Sequence, residues 1–318
     1  MEKCTEKISI KGRIHDVPGL LVGGVKVVVS GRFPRMAFIH DEEWLEQTSM
    51  PDPVNVSKAL KTGYLKADIF SFAERLPVSK PNYSYSYEMD NDAVISITSY
   101  KEWWDKLSQE SRRNVRLAGK AGVEVKVIPF DDELVRGIMA IYNEAPIRLG
   151  KPFWHYGKDF ETVKSENGTY AERSDYIGAF YEGKLIGFLK MVYVDRVGNI
   201  MQILSMIRHQ KKRTTNALVA KAVEVCEVRR IPYLKYCSYV YGTNESSLLT
   251  EFKRRNGFVK MDIPRYYIPL NFRGRLALKV RAHHGVKVML PPGMLRFALQ
   301  LRTKYYSLLK KDSLEAAE

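Results

Sequence analysis

Residues 176–207 read YIGAFYEGKLIGFLKMVYVDRVGNIMQILSMI, and this stretch decides the fold. It contains three runs rich in β-branched and aromatic residues, as strands are, at 176–181, 185–194 and 199–207. Short segments with turn-forming residues separate these runs, namely Glu182-Gly-Lys and Asp195-Arg-Val-Gly. The stretch therefore predicts three consecutive strands joined by hairpin turns.

Helices and strands alternate on both sides of this stretch. Upstream, residues 93–98 and 123–128 are typical of strands, and a long helix lies between them. A helix with one apolar face begins at Asp131, and residues 159–169 form a weaker helix. Downstream follow a helix capped at 214–216, a strand at 233–239, a helix at 244–254 and a strand at 265–270. This order predicts an α/β (α+β) fold with a central mixed sheet flanked by helices.

The first ninety-two residues predict a smaller mixed α/β module. The short elements expected there are strands at 25–30 and 36–39, a helix start at 41–45 and a helical or mixed segment at 63–76. A connector rich in Pro, Ser and Tyr follows at 78–86. The predicted division is therefore an N-terminal module at 1–92 and a main domain at 93–270.

Residues 271–318 predict a basic, partly helical tail. They contain ten Lys or Arg residues and three acidic ones. Pro291-Pro292-Gly293 precedes an amphipathic helix at 294–309 with cations around its apolar face. Such a helix can dock on its own domain, lie on an anionic membrane surface or bind RNA phosphates.

Composition narrows the class of protein. The 318 residues are 45% hydrophobic and 27% charged, as in ordinary globular proteins, and the length suits two domains. The formal net charge of +15 favours anionic partners such as nucleic acid, a membrane surface or a phosphorylated cofactor. There is neither a secretory h-region after the N-terminus nor an apolar run long enough to cross a bilayer. Three scattered cysteines fit a reducing cytoplasm, which is the compartment we expect.

Two segments resemble the GNAT superfamily and, within it, the Fem-type aminoacyl transferases. One is GKLIGF at 183–188, and the other is NESSLLTEFKRRNGF at 244–258, in which Phe252-Lys253 precedes Asn256-Gly257. The resemblance covers residues 93–270 and makes residues 1–92 a degenerate partner module. It implies transfer of an acyl or aminoacyl group to the amine of a small or peptide-like acceptor. The donor would be an acyl-coenzyme A or, alternatively, an aminoacyl-tRNA.

The resemblance also places the donor site. GNAT enzymes bind the coenzyme A pyrophosphate in a loop that begins with Gln or Arg and contains two glycines, where backbone N–H groups approach the phosphates. Here the loop begins at Gln210, and Arg213 and Thr215 replace both glycines. Side chains would then bind the phosphates; the candidates are Arg208, Gln210, Lys211, Lys212, Arg213, Thr215 and Asn216. The same residues also fit a solvated basic loop.

Catalytic groups are less well marked. The oxyanion of the reaction would be stabilised by a backbone N–H among Leu204, Ser205 and Met206. The tyrosine that often acts as general acid in GNAT enzymes corresponds to Lys253, so Tyr239 or Tyr241 would replace it. Both tyrosines also suit ordinary packing at a strand end. Asn244 and Lys253 are predicted to contact the substrate.

The segment RLGKPFWHYGK at 148–158 is typical of a ligand pocket, because large amphipathic rings lie between Gly and Pro residues. His155 is its candidate general base, since an ordinary imidazole titrates near neutral pH. Arg148, Trp154 and Tyr156 are predicted to bind the acceptor. The alternative is a hydrogen-bonded packing histidine, with Arg148 paired to Glu144 one helical turn away.

These observations favour an acyltransferase. The competing hypothesis is a non-catalytic basic module that retains the transferase fold and binds RNA or an anionic membrane surface. The sequence contains no P-loop, Rossmann fingerprint or Gly-x-Ser-x-Gly motif, and we expect no metal site.

Overall fold

The structure is a computed structural model that describes residues 3–10, 13–63, 65–241 and 247–285. Its longer strands and helices alternate along the chain as the sequence predicts after residue 93. The strands of the main sheet are β1 (Lys3–Ile10), β2 (Arg13–Val22), β3 (Val25–Ser30), β4 (Met36–Ile39), β5 (Ile69–Ala73), β6 (Ser86–Ser96), β7 (Glu124–Ile128), β10 (Ser174–Tyr181), β11 (Lys184–Val194), β12 (Val197–Ser205), β13 (Tyr233–Ser238) and β14 (Val259–Pro269). A separate two-stranded ribbon consists of β8 (Ile147–Arg148) and β9 (Lys151–Pro152). The helices are α1 (Pro53–Thr62), α2 (Tyr100–Lys106), α3 (Gln109–Lys120), α4 (Asp132–Tyr142), α5 (Phe160–Asn167), α6 (Thr214–Val228), α7 (Leu248–Arg255) and α8 (Phe272–Lys279).

One mixed sheet of twelve strands runs through the described part of the chain, in the order β1-β2-β3-β4-β5-β14-β6-β13-β12-β11-β10-β7. Two neighbouring pairs, β4 with β5 and β12 with β13, are parallel, and the other pairs are antiparallel. The predicted central mixed sheet with flanking helices is therefore confirmed. The three strands expected at 176–207 are β10, β11 and β12.

The two halves of the sheet repeat one arrangement. In each half, three antiparallel strands are followed by a helix and then by a strand parallel to the third: β2-β3-β4-α1-β5 and β10-β11-β12-α6-β13. Each half has its own core, one around Phe70 and Val27 and the other around Phe188 and Ile138. The predicted boundary at residue 92 falls inside β6, which continues the sheet from one half into the other. The division into domains stays a prediction.

Helices cover both faces of the C-terminal half. α6 packs on one face of β11 and α4 packs against the same strand. The side chains of β11 are buried at consecutive positions from Ile186 to Val192, so both faces of this strand are covered. α4 and α6 therefore lie on opposite faces of the sheet. Gln202 contacts α4 through Tyr142, whereas Gly187 approaches Thr214 of α6.

Three details of the local predictions are wrong. The long helix expected before residue 123 is two helices, because Leu107 is extended and the Ser108 side chain caps α3 by accepting the Ser111 N–H. The segment at 63–76 contains β5 and not a helix. α6 begins after Arg213, with no side-chain cap from residues 214–216.

The N-terminal strands β1 and β2 were not expected, since their sequences mix charged and apolar residues without a clear period. The basic helix predicted at 294–309 lies outside the described residues. Within the parts that the structure describes, no helix combines the length and the apolar character needed to cross a bilayer.

Candidate active site

An opening in the sheet separates β12 from β13. These parallel strands pair only between residues 197–199 and 233–235. Beyond this point β12 stays paired with β11 up to Ser205, whereas β13 pairs with β6. The facing edge of β12 therefore carries backbone groups that the β12–β13 ladder does not use. We call the space between residues 200–205 and 236–238 the opening.

The direction of the backbone N–H groups along β12 selects one oxyanion candidate. The Met206 N–H donates to the Ile186 carbonyl on the β11 side, at 2.8 Å. Because N–H groups alternate between the two sides of a strand, Leu204 also turns its N–H toward β11 and Ser205 turns its N–H toward the opening. Of the three residues that the sequence proposed, Ser205 alone has the required direction.

The loop after β12 keeps a conformation that glycine favours. A 3-10 turn at Ile207–Lys212 ends at Arg213, whose φ of 56° lies in the left-handed region. This is the position where the GNAT pattern has its first glycine. Arg213 therefore has a backbone conformation that glycine would adopt without strain, and the phosphate-binding role of the loop stays a prediction.

The predicted phosphate ligands of this loop fall into two groups. Arg208, Gln210, Lys211 and Arg213 are exposed near the N-terminus of α6. The other three contact the protein itself or are half-buried. Lys212 donates to the Ala121 carbonyl and lies 3.5 Å from the Tyr181 ring. Asn216 donates to Asn256, and Thr215 is half-buried in the first turn of α6.

A buried ion pair holds the start of the same loop. Glu144 accepts the N–H groups of Ile207 (2.5 Å) and Arg208 (3.0 Å). Arg148 donates to Glu144 at 3.2 Å and to the carbonyls of Ser205 (2.9 Å) and Ile141 (2.7 Å). The side chains of Arg148 and Glu144 are only 12% and 10% exposed. The Arg148–Glu144 pair thus fixes the end of β12, and Arg148 is not the free acceptor ligand that the sequence predicted.

A chain of polar side chains lies on the α4 face of β12. Asn167 donates to the Tyr142 hydroxyl at 3.4 Å, and Tyr142 donates to Gln202 Oε1 at 2.8 Å. The Gln202 amide nitrogen then lies 3.2 Å from His155 Nε2. Since Gln202 Oε1 is an acceptor here, its amide nitrogen is the donor, and His155 Nε2 accepts. We call Asn167, Tyr142, Gln202 and His155 the polar chain.

His155 is neutral in this setting. Burial lowers the pKa of His155 to about 4, and the nearby charges of Lys158 and Arg148 act in the same direction. A general base works best when its pKa is near the working pH. The lowered pKa of His155 and the engagement of its Nε2 with Gln202 weigh against the predicted general-base role, which stays a prediction.

The aromatic residues beside His155 lie at the surface. Trp154 is 59% exposed and Tyr156 is also exposed. The Trp154 ring centroid is 3.7 Å from that of His155, and Lys158 lies 4.7 Å from the Trp154 ring. An exposed aromatic platform of this kind is compatible with the predicted substrate contact by Trp154 and Tyr156.

The candidates at the end of β13 differ in exposure. Tyr241 is half-exposed, and burial raises the pKa of its hydroxyl, which therefore stays protonated at neutral pH. Tyr239 packs against the core. Lys253 is fully buried, and its ammonium group donates to the Ser238 carbonyl. Lys253 therefore holds the end of β13, and its predicted contact with the substrate stays a prediction. Asn244 lies outside the described residues.

Sequence reasoning did not single out Tyr142, Gln202 or Glu144 as site residues. Tyr142 was counted as part of the apolar face of α4. Gln202 is one of three polar residues in β12, with Asn199 and Ser205, and a polar residue in a largely apolar strand is the signal that marks it. Glu144 was noted only as an ion-pair partner of Arg148.

Glu88, His283 and His284 form a cluster with metal-ligand chemistry. Their ligand atoms lie within 4.8 Å of one another. Both imidazoles already contact the Glu88 carboxylate, at 3.2 and 2.8 Å, and the Arg281 guanidinium lies 3.6 Å from it. A guanidinium at this distance opposes a bound cation, so we read the cluster as a link between β6 and the segment after α8.

The sequence matches no protein-family model and no curated protein. The fold, in contrast, is similar to several solved structures. FemX superposes with a TM-score of 0.51 at 9% identity, over 87% of this chain and 90% of FemX. L-PGS from Bacillus licheniformis gives 0.53 at 13% identity, over 83% of this chain and 86% of that one. The C-terminal domain of a putative lysylphosphatidylglycerol synthetase from Agrobacterium fabrum gives 0.50 at 13% identity, over 82% and 86%.

These structures cover both halves of the sheet, so the likeness extends beyond the segments that resemble Fem-type sequences. At these identities the likeness concerns the fold alone. The chain therefore has a fold similar to those of FemX, L-PGS and the C-terminal synthetase domain.

Proposed function

We propose that the protein transfers an acyl or aminoacyl group from an activated donor to an acceptor amine. The observation that carries this proposal is the opening between β12 and β13, toward which Ser205 turns its N–H. A gap between two parallel strands inside a continuous sheet leaves backbone groups outside the ladder, and those that no side chain binds, as Arg148 binds the Ser205 carbonyl, are costly unless a ligand or water satisfies them. An extended acyl donor with its own amide groups fits such an edge.

In the proposed reaction the neutral form of the acceptor amine attacks the donor carbonyl carbon. Negative charge develops on the carbonyl oxygen, and the Ser205 N–H stabilises it. The C–N bond forms and the bond to the leaving thiol or ribose oxygen breaks. The leaving atom takes a proton from Tyr241, whose hydroxyl is protonated at neutral pH, and the nitrogen of the new amide gives its extra proton back to the Tyr241 oxygen. The polar chain holds β12 in register beside this site.

The donor is an acyl thioester of coenzyme A or an aminoacyl-tRNA. Both carry phosphates, which the exposed side chains of Arg208, Lys211 and Arg213 can bind near the positive end of α6. Both are cytoplasmic molecules, in agreement with the compartment expected from the cysteine content. The acceptor is a small or peptide-like amine. Contact of the basic tail with an anionic membrane belongs to the same proposal and concerns residues outside the described ranges.

A thermal-shift titration with acetyl-coenzyme A, desulfo-coenzyme A and ATP tests the donor. Saturable stabilisation by the two coenzyme A compounds and not by ATP would support a thioester donor. If none of them shifts the transition, transfer of a labelled amino acid from charged tRNA is the next assay. Absence of transfer from both donors, together with RNA retention that falls steeply with salt, would overturn the proposal in favour of the non-catalytic module.

The contribution of Arg213 can be separated from its backbone conformation. Arg213→Gly places glycine at a positive φ, where arginine is strained, so we expect the unfolding free energy to rise by about 1 kcal/mol. The substitution also removes one cation, so coenzyme A binding should weaken by about tenfold. Arg230→Gly is the matched control, because Arg230 has a φ of 57° and lies beyond the far end of α6. Equal coenzyme A affinity in both variants would contradict a phosphate contact by Arg213.

A further inference from the structure

A cleft of about 350 Å³ lies between the two halves of the protein. Its walls come from β6, β13, β14, the turn between β11 and β12, and the segments around residues 42–43 and 73–76. Apolar side chains, among them Val197 and Ile263, also line the cleft. The carboxylates that line the cleft are Glu42, Glu43, Glu74, Asp90, Asp92 and Asp195. We call this space the acidic cleft.

Three cations within the cleft wall do not balance these carboxylates. Arg265 contacts Asp90 (2.5 Å) and Glu42 (3.2 Å), and Lys235 contacts Asp92 (2.9 Å) and Glu43 (3.2 Å). The third cation, Arg75, lies 3.6 Å from Asp195. Negative charge therefore exceeds positive charge in a cleft of a protein whose net charge is +15.

The excess negative charge faces solvent. The side chains of Arg75, Lys235 and Arg265 are 15–27% exposed, whereas those of Glu43, Asp90 and Asp195 are 33–50% exposed. Glu42 and Asp92, which are 16% and 18% exposed, lie as deep as the cations, so the more exposed charges of the acidic cleft are those of Glu43, Asp90 and Asp195. A concave surface of one sign concentrates ligands of the opposite sign.

Asn199 gives an independent sign of a missing ligand. Its side chain is 4% exposed and lines the acidic cleft. Among the residues that the structure describes, no donor reaches its Oδ1 atom. A buried carbonyl oxygen without a donor is costly, and an N–H group of a ligand would satisfy it.

The acidic cleft adjoins the opening. Asn199 and Lys235 form the last pair of the β12–β13 ladder, and Tyr241 lines the acidic cleft. Asn199 lies opposite Val192 and Gln202 lies opposite Lys190, so both side chains are on the α4 face of the sheet. Two steps of the ladder separate them, which corresponds to about 7 Å along the strand. A ligand bound at Asn199 therefore lies in the same cleft as Tyr241, the proposed proton donor, and the edge of β12 leads from Asn199 towards Ser205, five ladder steps away.

We propose that the acidic cleft binds a flexible organic cation with two or more ammonium groups, and that this polyamine-like molecule is the acceptor. Its ammonium groups would contact Glu43, Asp90 and Asn199, and its methylene groups would lie on Val197 and Ile263. The volume holds on the order of ten heavy atoms, as in a linear triamine. The acceptor role, unlike the binding, rests on the proposed function. One ammonium group loses its proton to a cleft carboxylate, and the resulting amine attacks the donor carbonyl.

Isothermal titration calorimetry with spermidine, without any donor, tests the binding at about 150 mM salt. We expect saturable binding, and binding of n-butylamine weaker by about tenfold or more, because it has a single ammonium group. The double variant Glu43→Gln/Asp90→Asn should lose about tenfold or more in spermidine affinity. The Asn199→Val variant should bind spermidine more weakly but keep the melting temperature of the parent protein, because the substitution removes no hydrogen bond to Asn199 Oδ1.

The double variant Glu133→Gln/Glu161→Gln is the charge-matched control, because both residues are exposed on α4 and α5. An equal loss of affinity in this control would show non-specific attraction and overturn the proposal. So would absence of saturable binding, or displacement of spermidine by equimolar Mg²⁺. Binding without acyl transfer would contradict the proposed function alone, whereas transfer to an amine that does not compete with spermidine would contradict the cleft proposal alone.

Discussion

Replacing Glu144 by Ala is expected to lower the unfolding free energy by about 3 kcal/mol. The substitution leaves the Arg148 guanidinium buried without its counter-charge and frees the N–H groups of Ile207 and Arg208. Breaking a buried ion pair on one side is costly because the remaining charge is no longer solvated or paired. Urea denaturation measures the change, and amide hydrogen exchange at residues 207 and 208 should become faster.

The double variant Glu144→Ala/Arg148→Met provides the control. It removes the stranded charge, so its cost should be well below the sum of the two single costs. Additive costs would show that the two side chains act independently and would contradict the role of the Arg148–Glu144 pair in holding the end of β12. The loop after β12 would then depend on α6 alone.

Acidification is expected to destabilise the protein by about 3 kcal/mol through His155. Its pKa is about 4 in the folded protein against an ordinary value of 6.5, and each pKa unit corresponds to about 1.36 kcal/mol. At a pH between 4 and 6.5, His155 binds a proton in the unfolded chain but stays neutral in the folded protein. The contribution of His155 to the unfolding free energy is therefore fully present above pH 6.5 and is lost as the pH falls to 4.

Comparison with His155→Gln isolates this effect from the carboxylates that also titrate in acid. Glutamine keeps a polar group near the position of Nε2 and does not titrate. The unfolding free energy of each protein is measured in urea from pH 7 to pH 4. Over this range the parent protein should lose about 3 kcal/mol more than His155→Gln, so that the two curves converge or cross. Parallel curves would contradict a buried, neutral His155. Lys158, Arg148, Glu166 and Tyr142 are the titratable groups that face the ring in both proteins.

The sequence predicted the C-terminal half of the fold well because its signals are local. The three strands at 176–207 have continuous apolar runs and turn residues, and α4 has both an N-terminal Asp and a regular apolar face. The N-terminal strands were missed because three of the eight residues of β1 are charged and β2 contains Pro18 and Gly19. Ser108 was missed as a cap because the apolar period continues across it.

The candidate site was predicted in part. The sequence located the loop at 208–216 and the segment around His155, and Ser205 was among three candidates for the oxyanion contact. The direction of an N–H group depends on strand pairing, which residue types do not reveal. The pKa of His155 depends on its burial against Tyr142 and Trp154, and Lys253 became a structural residue only through its contact with Ser238.

The sequence by itself determined the order of elements, the basic character of the chain and the place of the loop after β12, because these depend on residues close together in the chain. The tertiary structure alone decided where β12 and β13 separate, which N–H faces the opening, and that distant acidic residues meet in one cleft. Glu43, Asp92 and Asp195 come from three separate segments. Long-range sheet pairing brings them together, and no local pattern encodes that pairing.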